Sequence, residues 1–271
     1  MTAAASGVTR VRAAFDAATT HDRAAIIVYL VAGFPDAAGS LAAAEAALGA
    51  GADLLEVGVP FSDPLADGPV IAAAGRDALA QGDGLSLARD LVRGLRQRGH
   101  RQPIMVMTYL NPLLARGVDE TLAGLREARA DGLIIPDLPA GELPDLERRG
   151  RNAGLTFAFL VAPNSAPERA EAAILASDAF LYVVPLFGVT GAREETAAGA
   201  VELLTRMRRV ARGRLPVAAG FGISRAEHVA HLAPAADGLI VGSAVVAALR
   251  RGGPAAVGDL VQSLAAAARR T

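Results

Sequence analysis

Three carboxylates stand close together in the run Leu54-Leu55-Glu56-Val57-Gly58-Val59-Pro60-Phe61-Ser62-Asp63-Pro64-Leu65-Ala66-Asp67-Gly68-Pro69, and they occupy two kinds of place. Glu56 sits in the middle of an apolar strand, whereas Asp63 and Asp67 follow on a loop stiffened by Pro60, Pro64 and Pro69. Alternation along a strand puts Leu54, Glu56 and Gly58 on one side and Leu55 and Val57 on the other. A strand this apolar is covered on both faces, as in a parallel sheet. Glu56 therefore points into an interior, where an unpaired carboxylate is strongly disfavoured or takes up a proton. Such a group is suited to proton transfer. The alternative is an ion pair with an arginine elsewhere in the chain.

A second chemistry is written in three glycine-bearing turns: Gly188-Val189-Thr190-Gly191, Gly220-Phe221-Gly222-Ile223-Ser224 and Val241-Gly242-Ser243-Ala244. Glycine lets a backbone approach an oxyanion closely, and bare N–H groups at a helix start attract a dianion. Each turn alone says little, but three on consecutive late strands point to a phosphate pocket. The three tyrosines, Tyr29, Tyr109 and Tyr182, fall within or at the ends of strand candidates. Each alone could be a core aromatic; together they suggest a mouth lined for an aromatic ligand.

Other chemistries are poorly supplied. The chain has no cysteine, which excludes disulfides, thiolate nucleophiles and sulfur-bound metals. All 27 basic residues are arginine, so neither a Schiff-base lysine nor a lysine general acid exists. His228 and His231 have a metal-compatible spacing but no third ligand nearby, and they read as the wet side of a helix, so no metal is expected. His21 and His100 lie in polar connections, and Ser62 and Ser243 lack a histidine placed as base. A formal charge of −1 without blocks of like charge gives no reason to expect nucleic acid or an anionic membrane as partner. No apolar run is long enough to span a bilayer, and the N-terminus, with Arg10, Arg12, Asp16, Asp22 and Arg23, lacks a signal-peptide core. A cytoplasmic protein is expected.

The elements that must position these residues repeat regularly. Strand candidates are Ile26–Ala32, Leu54–Val59, Ile104–Tyr109, Gly132–Pro136, Thr156–Val161, Phe180–Val184, Val217–Ala219 and Gly238–Val241. Helix candidates between them are Ala37–Leu48, Pro69–Ala80, Leu85–Arg98, Glu120–Ala130, Pro144–Ala153, Pro167–Ala176, Ala197–Val210 and Arg225–Leu232. Ala244–Arg250 and Val257–Ala268 close the chain, and Val11–Ala18 is expected to cross the barrel floor. Eight strand–helix repeats in 271 residues, 52% of them apolar, predict a single-domain α/β fold over 1–271. The class is a (β/α)8 TIM barrel with extra N-terminal and C-terminal helices. A doubly wound sheet would want Gly-x-Gly-x-x-Gly after the first strand, where the chain gives Ala32-Gly33-Phe34-Pro35-Asp36. In a barrel, chemistry belongs to the loops at the carboxyl ends of the strands, where Glu56 and the Pro60–Pro69 loop lie.

The acidic signature Leu55–Pro69 resembles that of the tryptophan synthase alpha subunit family. Ala32-Gly33-Phe34-Pro35, Tyr109-Leu110-Asn111-Pro112, Pro136-Asp137-Leu138-Pro139 and the three glycine turns follow in the family's order, from about residue 11 to 250. The resemblance implies a cofactor-independent retro-aldol cleavage of indole-3-glycerol phosphate to indole and glyceraldehyde 3-phosphate. It implies that Glu56 is the general acid/base and that Asp67 accepts the indole N–H, with Tyr182 beside the glutamate. Tyr29, Tyr109, Ile134, Thr190 and Phe221 match positions around the indole, and Gly191, Gly222, Gly242 and Ser243 match the phosphate site. This division agrees with the residues themselves: a buried strand carboxylate donates, while a wetter loop carboxylate stays ionised.

The family also implies a partner, a beta subunit that carries the pyridoxal phosphate, in an αββα complex. Pro60, Asp63 and Asn111 match its interface regions, and the loops around Asp63 and Thr190 match the mobile ones. Two departures from the family pattern are Val184-Pro185-Leu186-Phe187 before the Gly188 turn and Val70-Ile71-Ala72 after Pro69. The first bears on motion of the Thr190 loop and on signalling to a beta subunit. The alternative reading is a stand-alone indole-3-glycerol phosphate lyase that releases free indole. Intact Glu56 and Asp67 argue against a non-catalytic activator, and the lack of lysine argues against class I aldolase or indole-3-glycerol phosphate synthase chemistry.

Overall fold

The structure is a computed structural model, described here for residues 7–184, 193–220 and 222–270. Its sheet contains β1 (Ala25–Val31), β2 (Leu54–Gly58), β3 (Ile104–Met107), β4 (Gly132–Ile134), β5 (Thr156–Phe157), β6 (Leu160–Val161), β7 (Leu181–Val183), β8 (Val217–Ala219) and β9 (Gly238–Val241). All pairings are parallel, in the order β5-β4-β3-β2-β1-β9-β8-β7-β6. β5 and β6 are halves of the one predicted strand Thr156–Val161. The first half pairs back with β4 and the second forward with β7. Between them the Ala158 N–H donates to the Leu133 carbonyl (3.3 Å), and the Phe159 carbonyl accepts the Tyr182 N–H (3.0 Å), so the sheet closes on itself. The result is the predicted eight-stranded barrel, with β1 buried along its whole length.

Helices α1 (Gly7–Thr20), α2 (Ala37–Gly49), α3 (Pro69–Leu79), α4 (Gly84–Gln97), α5 (Leu110–Arg116), α6 (Val118–Ala128), α7 (Pro144–Asn152), α8 (Pro167–Ala176), α9 (Arg193–Ala211), α10 (Ala226–Leu232) and α11 (Ser243–Ala267) accompany the strands. α1 covers the barrel floor as expected: Phe15 packs its ring 5.7 Å from that of Phe180, just before β7. α11 joins the two predicted C-terminal helices across a kink at Gly252-Gly253, where Gly253 has φ +66° and Pro254 follows. α5 is an addition to the predicted helices. Pro112 lies in its first turn, where the missing N–H is not needed. No helix among the described residues is long and apolar enough to cross a membrane.

The floor repeats one device four times. Asp53, Asp131, Asp178 and Asp237 stand before β2, β4, β7 and β9, which are barrel strands two, four, six and eight. Each carboxylate accepts an amide N–H from the start of the preceding barrel strand: Ile26 (2.8 Å), Ile104 (2.8 Å), Phe157 (2.5 Å) and Val217 (2.9 Å). Each is also paired with arginine: Asp53 with Arg23 (2.6 Å), Asp131 with Arg96 (2.6 Å) and Arg10, Asp178 with Arg151 (3.2 Å), and Asp237 with Arg208 and Arg270 (both 3.1 Å). Carboxylates removed from water keep their charge only with such partners. These aspartates therefore fix the register of strand pairs at the end opposite the mouth.

Candidate active site

One buried carboxylate lacks any such partner. Glu56 is fully buried in β2, and neither of its oxygens has a hydrogen-bond partner among the described residues. The alternative for this residue, an ion pair with an arginine, is made with none of the described residues. Burial, reinforced by the negative charge of Asp67, pushes the Glu56 carboxyl up to about 8. β2 places it in register with Tyr29 of β1 on one side and Met105 of β3 on the other. Partners in register on parallel strands share a face, so Tyr29 and Glu56 point together into the barrel.

Glycines make the tyrosines possible. A Cβ on Gly58 would lie 2.2 Å from the Tyr29 hydroxyl, so only glycine leaves that oxygen room over β2. In the same way, a Cβ on Gly220, just after β8, would lie 2.5 Å from the Tyr182 ring and hydroxyl. Tyr182 occupies β7, with its ring 6.1 Å from that of Phe180. Burial and then the charge of Glu56 raise the Tyr182 phenol well above its usual range; burial and then Asp67 and Glu56 do the same to Tyr29. Both hydroxyls thus stay protonated and lie within electrostatic reach of both carboxylates. The sequence suggests no role for Gly58 and places Gly220 only within a phosphate-binding turn; the signal available was a glycine at the end of a strand, where close approach is common.

Asp67 comes to the site on the loop after β2 and is half-buried. Burial raises its carboxyl to about 6, against the lowering effect of a hydrogen bond from Tyr109. Tyr109 ends the strand-three segment and caps α5. Its hydroxyl accepts the Ala66 N–H at 2.8 Å, and its ring lies 5.4 Å from that of Phe61. Ile134 is buried at the end of β4. The barrel thus brings Glu56, Asp67, Tyr29, Tyr109 and Tyr182 to one end.

The phosphate candidates are only partly visible. Gly242 is the residue before α11, and Ser243, exposed, opens that helix. Gly222 has φ +79°, a left-handed conformation suited to glycine. Gly191, Thr190, Phe221 and the departure Pro185-Leu186-Phe187 lie outside the described residues. Of the interface candidates, Asp63 and Asn111 are exposed, whereas Pro60 is buried. Pro60 lies beneath Gly84, on which a Cβ would come within 2.2 Å of the Pro60 carbonyl oxygen. His228 receives the Ser224 N–H on its ring nitrogen (3.4 Å).

Near neutral pH this arrangement holds one carboxyl protonated and its neighbour ionised. Environments that push two acids apart in this way can donate a proton and stabilise a cation at the same moment. The family model of the tryptophan synthase alpha chain matches residues 15–269. The alpha chain of Deinococcus radiodurans is 44% identical, with 99% of this chain and 98% of that one aligned. That of Mycobacterium avium is 41% identical over the same shares, 99% and 98%. A chain of tryptophan synthase from M. tuberculosis superposes with a TM-score of 0.87 at 40% identity, covering 96% of this chain and 98% of that one. The alpha subunit from Legionella pneumophila does so with a TM-score of 0.84 at 31% identity, covering 97% and 98%. With its fold and nearly its whole length in common with these proteins, the chain belongs to the tryptophan synthase alpha chain family.

Proposed function

We propose that Glu56 and Asp67 are the acid–base pair with which this member of the family, acting as one barrel domain, cleaves indole-3-glycerol phosphate. The observation that carries this reading is the buried, unpartnered Glu56 carboxyl beside Asp67 at the barrel mouth. Protonated Glu56 gives its proton to the indole carbon that bears the glycerol chain. The ring nitrogen becomes positive, and ionised Asp67 accepts its N–H and offsets that charge. Glu56, now a carboxylate, takes the proton of the adjacent hydroxyl. The carbon–carbon bond then breaks, and its electron pair returns to the ring. Indole and glyceraldehyde 3-phosphate leave, and Glu56 is protonated again. No cofactor is needed in this scheme. Positioned proton transfer of this kind contributes ~10²–10⁴ in rate.

Tyr182 and Tyr29 pack around the acids, and Ile134, Tyr109, Thr190 and Phe221 complete the indole pocket. Gly191, Gly222, Gly242 and Ser243 hold the phosphate, mainly through backbone N–H groups, since the chain has no lysine to do so. A beta subunit docks beside the mouth, where Asp63, Asn111 and the 87%-exposed Leu65 face outward. An αββα complex would let indole pass to pyridoxal phosphate chemistry on the partner. Docking favours the closed loop that bears Asp67, a population shift that the free chain makes rarely.

The deciding measurement is indole release from indole-3-glycerol phosphate by the purified chain, with and without a beta subunit. Cleavage is expected to fall in both Glu56→Gln and Asp67→Asn by at least ~100-fold. Near-wild-type turnover in either would remove that residue from its role. Activation by a beta subunit of ~10–100-fold requires only about 1.4–2.7 kcal/mol of coupling. A free chain already at full speed, with no complex by gel filtration, would instead favour a stand-alone lyase.

A further inference from the structure

We infer that the hydroxyl of Tyr29 is a specificity-determining group that hydrogen-bonds the middle hydroxyl of the substrate's glycerol chain, the one that cleavage leaves untouched. This inference rests on the reading of Glu56 as the acid–base group and of Gly242 as part of the phosphate site. It gives the hydroxyl of Tyr29 a duty distinct from that of its ring.

That hydroxyl has its bonding capacity to spare. Tyr29 is only 6% exposed, in a strand buried along its whole length. Its hydroxyl nevertheless makes no hydrogen bond with any of the described residues. The hydroxyl of Tyr109, by contrast, accepts the Ala66 N–H at 2.8 Å. An unpaired hydroxyl this deep is disfavoured once a ligand displaces water from the mouth. A ligand that brings a hydroxyl of its own supplies the pairing, because a phenol can both donate and accept.

The side chain is fixed at both ends. A Cβ on Gly58 would lie 2.2 Å from the Tyr29 hydroxyl and 2.5 Å from the ring carbon that bears it. A Cβ on Gly242 would lie 3.4 Å from the opposite edge of the ring and 3.5 Å from the Tyr29 Cβ. Tyr29 therefore runs from the turn after β9 to the face of β2 that Gly58 shares with Glu56.

Register puts these groups in a row. β9, β1 and β2 are neighbours in the sheet. Val28 stands opposite Val241, so the next residues, Tyr29 and Gly242, are level. Tyr29 in turn stands opposite Glu56. Phosphate turn, hydroxyl and acid thus follow one another across three strands, with about 4.8 Å between neighbours. The substrate carries its groups in the same order: the phosphate ester, the middle carbon with its hydroxyl, then the reacting carbon whose hydroxyl gives its proton to Glu56. With the phosphate at Gly242 and the reacting carbon at Glu56, the middle hydroxyl falls at Tyr29.

The test compares wild type with Tyr29→Phe, each on indole-3-glycerol phosphate and on the analogue with hydrogen in place of the middle hydroxyl. The analogue keeps the phosphate, the indole and the reacting hydroxyl, so indole release reports on both compounds. Phenylalanine keeps the ring between Gly58 and Gly242 and removes only the hydroxyl. The wild type is expected to favour the full substrate by about tenfold or more in kcat/KM, and the variant to treat the two within about threefold. A purely structural hydroxyl would lower the urea midpoint of the variant and slow both compounds together, leaving their ratio as in the wild type. That result, or a wild type that does not discriminate, would overturn the inference while leaving Glu56 and Asp67 in their roles. Near-wild-type turnover in Glu56→Gln would overturn the reading on which it rests, and this inference with it.

Discussion

Replacing Glu56 by Gln should give the protein a stability advantage over the wild type that grows as pH rises, even as cleavage is lost. The unfolded chain titrates Glu56 at its ordinary value of 4.5, whereas the fold holds it to about 8. Above the lower value the unfolded state releases the proton and the folded state keeps it. The stability contributed by the protonated form is therefore complete below pH 4.5 and is lost as pH rises through 8. Between about pH 5 and pH 8 this single group should weaken the wild type by about 3 kcal/mol, at 1.36 kcal/mol per pH unit over which only the unfolded state is ionised. Solvent screening does not reduce the figure, because Glu56 is fully buried and neither oxygen has a partner among the described residues. Glutamine cannot ionise, so the variant carries none of this dependence. Urea unfolding of both proteins at several pH values gives the comparison. At a slope of about 3 kcal/mol/M, the gap between midpoints should widen by about 1 M across that range. All other groups titrate in both proteins and cancel in the difference. A gap that stays constant within about 1 kcal/mol would refute the claim that burial holds Glu56 protonated.

Gly220→Ala forces a Cβ to within 2.5 Å of the Tyr182 ring and should lower kcat by at least ~10-fold, as measured in the indole-release assay. Unchanged turnover would mean that Tyr182 has no fixed place in the site. Gly242→Val brings a branched side chain to the start of α11, where a Cβ alone would already lie 3.4 Å from Tyr29. It should raise KM for the phosphorylated substrate about tenfold or more, which steady-state kinetics would register, if that helix start receives the phosphate. Asp131→Ala leaves buried Arg96 without its carboxylate and the Ile104 N–H without its acceptor. A loss of about 3–5 kcal/mol is expected in urea unfolding, with kcat of the folded protein unchanged, because the lesion lies on the floor.

Much of the site was legible because the chemistry is local in the chain. Glu56 stands out as a carboxylate in an apolar strand, and Asp67 follows on a short loop whose prolines limit where it can go. The other strands and helices could be read from period alone. α5, only seven residues long with a proline in its first turn, carries too little periodic signal to stand out. Strand five was read as one run, yet its two halves pair in different directions, β5 with β4 and β6 with β7. The four floor aspartates were visible as an Asp before every second strand, but one Asp before a strand is also an ordinary turn residue. Only the closed barrel assigns each of them an amide and an arginine.

The sequence by itself determined the barrel, the location of the acids and the absence of lysine or thiol chemistry, because strand and helix periods and residue types are properties of neighbours along the chain. Tertiary structure decided between the two readings of Glu56, a protonated acid or the partner of an arginine, and favoured the protonated acid. A pKa depends on what surrounds the group in space, and the surroundings of Glu56 come from β1, β3 and the Asp67 loop. It also decided that Gly58 and Gly220 serve Tyr29 and Tyr182, and that the Tyr109 hydroxyl holds the Ala66 N–H beside Asp67. Forty-three positions separate Ala66 from Tyr109, and no periodic pattern spans that distance. Closing the barrel brings their atoms to hydrogen-bond range, which only contact in space can do.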